Sequence, residues 1–350
     1  MTTIDQALAT IASEVKTLED TYLKVASSNL DLTIKVNELQ AEVDDLDAKI
    51  VTLTQQLADC EGTTPPPPPP PPIPETYFAK DFQGVSLVNK SNNTGKLFRN
   101  WGLDELAECS ASINFVSGST ENYATAEMVA DPTGTGRTVL QFGVKDDDPN
   151  WSGTSRAQVD MSFSSAIRNQ DILHFSYRMY LHPDLATLKD MPDFGKSWFT
   201  LHEFWFEGAS GENPAGGGRI TLYVEEVVAG KLNLRADMQR TKTGQVTLWQ
   251  EDNLNFNIPF GVWATWDVYL KRGEGTSGNY RVTVTEDGPS NAPATVFDIK
   301  KTTFLPDAPE RRCGYFAPFK LYAGDVVYDW MRNNGRKLQA YYNDFKWFKA

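Results

Sequence analysis

The chain is poor in the residues that staple or metallate a fold. Three cysteines (Cys60, Cys109, Cys313) and three histidines (His174, His182, His202) among 350 residues exclude a disulfide scaffold and a zinc finger. Long hydrophobic runs are missing too: none approaches the roughly 18–20 residues that span a bilayer. The start, MTTIDQALATIASEVK, has no basic segment leading into an apolar one, so no Sec-type leader is expected. Basic blocks are absent. With 46 acidic against 33 basic residues and a net charge of −13, nucleic-acid binding is not expected, because phosphate neutralisation needs clustered Lys/Arg. Residues 1–62 also lack proline, and Tyr22 is their one aromatic; they carry 12 acidic and 4 basic side chains. The remaining 40 aromatics, all nine Trp included, lie beyond residue 75 on a segment of net charge −5. Two physically different segments are joined.

What fills the first segment is a heptad repeat. The d positions read Ile4, Ile11, Leu18, Val25, Leu32, Leu39, Leu46, Leu53 and Cys60; the a positions read Leu8, Val15, Tyr22, Asn29, Val36, Val43, Ile50 and Leu57. A strict seven-residue period sustained this long predicts a left-handed coiled coil over 1–62, a rod of about 90 Å. A seam of this kind cannot be satisfied by one helix, so a parallel homo-oligomer is expected, with Asn29 fixing register. Ile at d in the first heptads favours a trimer over a dimer, although Val/Ile at a with Leu at d later on suits two strands. Cys60 reads as a small buried apolar residue, or as an interchain disulfide in an oxidising setting.

Residues 65–72 are eight consecutive prolines, so 63–74 is expected to be a stiff spacer of roughly 30 Å. From residue 75 on, short alternating runs are separated by Gly, Pro, Asn and Asp clusters, a pattern that predicts an antiparallel β-sandwich of jelly-roll type over 75–350. Strands are expected at 138–144, 157–163, 173–181, 198–206, 219–225, 231–239, 246–250, 263–271, 280–285, 295–300 and 338–349. Short helices are expected at 325–333 and 103–107. The fold class is therefore an N-terminal parallel α-helical coiled coil followed by an all-β antiparallel jelly-roll sandwich.

Three stretches carry a resemblance. Trp263-Ala-Thr-Trp-Asp-Val-Tyr-Leu-Lys-Arg-Gly followed by Gly278-Asn-Tyr-Arg-Val-Thr-Val-Thr-Glu-Asp-Gly resembles paired strands of the concanavalin A-like lectin/glucanase sandwiches. Tyr341-Tyr-Asn-Asp-Phe-Lys-Trp-Phe is similar to their closing strand, and Pro318-Phe-Lys-Leu-Tyr resembles a strand of the jelly-roll polysaccharide lyases. Coiled coil, proline spacer and sandwich together resemble bacteriophage fibre proteins. What the resemblance implies is a sugar-binding sheet face, with Arg156, His202, Glu203, Trp205, Lys320 and Tyr322 as candidates. A lyase of this kind would draw its cation, base and acid from Arg156, Gln158, His202, Tyr322 and Tyr328. Where that family has Arg-x-Glu-x-Arg, this chain has Arg156-Ala-Gln158-Val-Asp160, and its Gln-x-His triplet is replaced by Leu201-His202-Glu203. Between residues 75 and 350 there is no Glu-x-Asp, which excludes the retaining glycosidase signature of the glucanase branch.

Plain alternation along 198–207 places Thr200, His202, Phe204 and Phe206 on one face and Phe199, Leu201, Glu203 and Trp205 on the other. No cofactor is expected; calcium at the acidic loop Asp146, Asp147, Asp148 is the one metal candidate. The expected function is an oligomeric virion fibre that displays glycan-binding sandwiches on the virion surface, its N-terminus held by other virion proteins. Polysaccharide lyase activity on acidic glycans is the alternative, and a purely structural decoration protein the second. An extracellular location reached by a non-Sec route is the alternative to the virion. The expected seam residues are Ile11, Leu18, Asn29, Val36, Leu39, Val43, Leu46, Ile50, Leu53 and Leu57.

Overall fold

The computed structural model describes residues 16–20, 24, 35, 40, 43, 45, 46, 49 and 52, and residues 75–349 except 91–94, 104, 105, 107, 116–123, 145–154, 169, 193, 195, 196, 207–217, 241–245, 289–291 and 305–312. Two compact units divide the chain, Met1–Pro72 and Ile73–Ala350. In the first, every described residue is helical, and the seam positions Leu18, Val43 and Leu46 are 68%, 48% and 56% exposed on the single chain. Ile11, Asn29, Val36, Leu39, Ile50, Leu53, Leu57 and Cys60, with the polyproline segment, lie outside the described residues, as do Asp146, Asp147 and Asp148. Among the described residues no helix is long and apolar enough to cross a membrane, and no cluster of three metal-ligating side chains occurs.

The second unit is an antiparallel β-sandwich, its strands numbered here in chain order. One sheet runs β15 (Ala294–Ile299), β14 (Asn279–Glu286), β13 (Trp263–Lys271), β8 (Ile172–Leu181), β18 (Gln339–Phe348), β6 (Thr138–Val144), β5 (Ala124–Ala130), with β1 (Thr76–Lys80) also on β18. The other runs β12 (Val246–Asn253), β11 (Lys231–Arg240), β10 (Gly218–Val228), β9 (Trp198–Phe206), β16 (Cys313–Ala317), β7 (Ser155–Phe163), β4 (Cys109–Phe115), β3 (Gly95–Arg99), β2 (Ser86–Asn89). Next to β16, β17 (Lys320–Ala323) bonds to both β7 and β9.

Alternation explains how the sheets face each other. In β13, Ala264, Trp266, Val268 and Leu270 are fully buried while Thr265, Asp267 and Tyr269 look outward; in β14, Tyr280, Val282 and Val284 point inward. The turn between them is built on glycine, since a Cβ at Gly273 or Gly278 would collide with backbone atoms. Between the layers an aromatic stack holds the core, with Phe204 4.2 Å and Phe175 4.6 Å from Phe316 by ring centroids.

The expected helix forms at Asp325–Asn333, burying Val327, Tyr328 and Met331. Within 103–107 the described residues Leu103 and Leu106 are bends rather than helix, tied by a hydrogen bond from Leu106 N to Leu103 O of 3.1 Å, and the other three lie outside the described residues. A second correction concerns β9. Its pairing with β10 slips one residue between Leu222 and Tyr223, which face His202 and Thr200. This β-bulge inverts the alternation. Thr200 consequently shares its face with Glu203 and Trp205, not with His202, Phe204 and Phe206.

Candidate functional site

The outer face of the ten-stranded sheet carries a polar band that crosses five strands. Register sets it out: Gln239 and Asp237 of β11 lie opposite Arg219 and Thr221 of β10. Those two in turn face Trp205 and Glu203 of β9. Thr200 faces Tyr322 of β17, and Tyr322 and Lys320 face Arg156 and Gln158 of β7. Inward neighbours such as Ile220, Leu222, Ala236 and Met238 are buried in the core, so the band is anchored on rigid strands rather than loops.

At its centre Lys320 and Glu203 form an ion pair, each only 1% exposed. The Glu203 Oε1 also accepts from Arg219 (3.2 Å) and Thr221 Oγ1 (3.3 Å). Burial by itself would raise the Glu203 carboxyl, but Lys320 and Arg219 outweigh it and hold the group below its ordinary range. The Tyr322 ring is half-buried, with Lys320 Nζ 5.2 Å and Arg156 Cζ 5.6 Å from its centroid. Trp198 meets the ring edge-on at 4.6 Å. Beside it opens a groove of about 310 Å³ lined by Trp198, Thr200, Arg219, Tyr223, Asp237 and Tyr322 among others. Arg219 is fixed there by Gln239 Oε1, at 2.8 and 3.1 Å, and lies over Trp205 with Cζ 5.9 Å from the ring centroid.

The far wall of the groove is acidic. Asp237 accepts from the Tyr223 hydroxyl at 3.1 Å; burial pushes its carboxyl up to about 6, against the pull of Arg219 and its hydrogen bonds. Past Arg156 the band continues through Asp160, which accepts from Asn114 and from Gln158 Nε2 and is raised by burial. Among the described residues, the buried Gln158 Oε1 and Asp237 Oδ1 have no hydrogen-bond partner. Buried polar atoms left so along one face are where a polar ligand gains most.

Six of the side chains expected from sequence therefore share this band: Arg156, Gln158, Glu203, Trp205, Lys320 and Tyr322. Two do not. His202 points between the sheets, fully buried, with Nδ1 2.7 Å from the Tyr177 hydroxyl and Nε2 2.6 Å from the Tyr280 hydroxyl. Burial, aided by Lys320, lowers it to about 3. It is a hydrogen-bonded core residue, and the expectation that it meets sugar is corrected. Tyr328 is 2% exposed on the 325–333 helix, with Arg332 Cζ 5.1 Å from its ring centroid, and is not part of the groove. Arg219, Thr221, Tyr223, Asp237 and Gln239 were not singled out from sequence. Their signal was the alternation of polar residues with Ile220, Leu222, Val224, Leu234, Ala236 and Met238.

No family model matches the sequence, and no curated protein matches it. Among solved structures the chain is similar to an endo-β-1,4-glucuronan lyase from the fungus Trichoderma reesei, at 14% identity over 79% of this chain and 96% of that one, TM-score 0.46. It is similar to an alginate lyase from Aplysia kurodai at 11% identity, covering 79% and 99%, TM-score 0.44. An alginate lyase from a Chlorella virus aligns at 10% identity over 66% and 94%, TM-score 0.33. These neighbours are polysaccharide lyases by name. At this distance the likeness carries no argument about activity, which rests on the side chains of this chain.

Proposed function

We propose that the polar band binds an acidic polysaccharide and cleaves it by β-elimination. The observation that carries this reading is the half-buried Tyr322 phenol beside an open groove, with Arg156 5.6 Å and Lys320 5.2 Å from its ring centroid and Arg219 on the groove's lining. Uronate cleavage needs positive charge at the sugar carboxylate, because abstraction of the C5 proton places negative charge there. Arg156, beside Tyr322, and Arg219, on the groove's lining, supply that charge. In its phenolate form the Tyr322 oxygen takes the C5 proton and becomes the phenol; the C5–H electron pair becomes the C4=C5 double bond; the C4–O bond breaks, and the departing oxygen takes the proton back from the phenol, restoring the phenolate. Lys320 and Glu203, locked in their ion pair, hold β17 against β9 and so fix Tyr322 over the groove.

The test is incubation of the full chain with a panel of polyuronates, following ultraviolet absorbance of the unsaturated product. Absorbance should rise with at least one polymer and cease to rise for Tyr322→Phe. A flat trace with every polyuronate overturns the reading.

A second reading has an observation of its own. The exposed Leu18, Val43 and Leu46 on a helical segment with a heptad repeat favour self-association. An oligomeric stalk would present several sheet faces together, so that weak glycan sites gain avidity without new contacts. Binding without cleavage, in a fibre-like protein displayed on a virion surface, is the outcome this reading expects from the same panel.

A further inference from the structure

The opposite side of the sandwich holds a second hollow that the proposed chemistry does not use. It lies on the outer face of the eight-stranded sheet, about 350 Å³ in volume, where β13 and β14 meet the 273–278 turn. Three cations border it: Lys271, Arg281 and Lys300. Register brings Arg281 of β14 opposite Tyr269 of β13, and the guanidinium lies over the phenol ring at 4.9 Å. Tyr269 is itself propped edge-on by His174 at 5.8 Å, whose ring packs 4.5 Å from Phe348. The guanidinium is thus held in place on an aromatic shelf rather than free in solvent.

One acid, Asp298, also lines the hollow opposite Arg281, so three cations stand against one carboxylate. His174 Nε2 lies 2.9 Å from Asp267, and Asp298 accepts from Asn279 Nδ2 at 2.6 Å. Among the described residues none of Lys271, Arg281 and Lys300 enters an ion pair. The hollow also offers hydroxyl-scale recognition: Thr276 and Ser277 line it, and the Asn279 Oδ1 is buried without a partner. Positive charge with one preset guanidinium matches a carboxylate, and an unpaired acceptor matches a sugar hydroxyl.

We infer that this hollow is a second binding site for an acidic sugar, one that tethers the polymer while the opposite sheet works on it. The inference takes from the proposed function only the acidic-sugar class of the ligand. Two sites on one chain raise the local concentration of polymer without changing the chemistry at either.

The test is affinity electrophoresis of the full chain through gels containing sodium alginate, with dextran as the neutral control. Tyr269→Ala/Arg281→Ala should weaken retardation by alginate about fivefold or more, with no effect in dextran, while the rate on a short oligouronate stays that of the parent. Lys271→Glu/Lys300→Glu, both at exposed positions, should do the same. Retardation of both variants equal to the parent overturns the inference and leaves the proposed function standing. Loss of elimination in Tyr322→Phe with parental retardation supports it. A parent chain that cleaves no polyuronate yet loses retardation in the outer-face variants sinks the proposed function alone. No retardation of the parent by alginate overturns the inference.

Discussion

Acid should loosen this sandwich through one side chain above others, His202. An unfolded histidine titrates near its ordinary 6.5, whereas the folded one, sealed between Tyr177 and Tyr280, is lowered to about 3. The folded state therefore binds fewer protons than the unfolded chain across that interval. Its contribution is intact above pH 6.5 and is lost progressively as pH falls towards 3. A displacement of that size corresponds to about 5 kcal/mol over the full interval, and about 3 kcal/mol of it falls between pH 7 and pH 4. Urea unfolding at pH 7, 5 and 4 measures the loss directly. Other acid-sensitive groups contribute to the parent's slope, so the informative comparison is with His202→Gln, which keeps a neutral hydrogen-bonding side chain but cannot titrate. That variant starts about 1–3 kcal/mol less stable, having lost fitted contacts in the core. Its loss from pH 7 to pH 4 should be smaller than the parent's by about 3 kcal/mol. Equal losses in both proteins would refute the placement of His202 as a buried neutral core residue.

The Lys320–Glu203 pair should respond unevenly. Glu203→Leu strands Lys320 beside Arg219 and should cost about 3–5 kcal/mol, whereas Lys320→Met leaves Glu203 with Arg219 at 3.2 Å and should cost about 2 kcal/mol, both read by urea unfolding. Asp237 gains its charge as pH rises through about 6, putting an anion in the groove; alginate should bind more tightly at pH 5 than at pH 7.5, and Asp237→Asn should bind alike at both. Because that carboxyl is raised in the fold, it also costs stability as pH climbs from 3.8 through 6, a drift that Asp237→Asn should lack. The full chain should sediment as a trimer, and Leu18→Lys/Leu46→Lys should sediment as a monomer with the β-sheet circular dichroism of the parent; monomeric parent protein removes the stalk from the account.

How much of this the sequence discloses depends on side-chain size. Strands whose inward positions are large and outward positions polar, such as Ile220/Leu222/Val224 against Arg219/Thr221/Tyr223, are legible by eye. β4 is not: Cys109, Ala111, Ile113 and Phe115 alternate with Ser110, Ser112 and Asn114, and small inward residues blur the period. The four-residue β17 is invisible to periodicity, because its buried Lys320 reads as a break in an apolar run; the resemblance of Pro318-Phe-Lys-Leu-Tyr to a lyase strand is what marks it. The faces of β9 were misread for a backbone reason. A one-residue bulge cannot be seen in a list of side chains, yet it decides that Thr200 joins Glu203 and Trp205 rather than His202. His202 and Glu203, adjacent in sequence, take opposite faces by plain alternation. Arg156, Gln158, Lys320 and Tyr322, distant in sequence, came together through the pairing of β7 with β17.

The central claim, elimination at the polar band, is tested most directly by the mass of the products released from a polyuronate by the full chain. Elimination predicts new non-reducing ends lighter by one water than hydrolysis would leave, and none of them from Tyr322→Phe. Fragments carrying the added water, or a polymer bound but uncut, would contradict it.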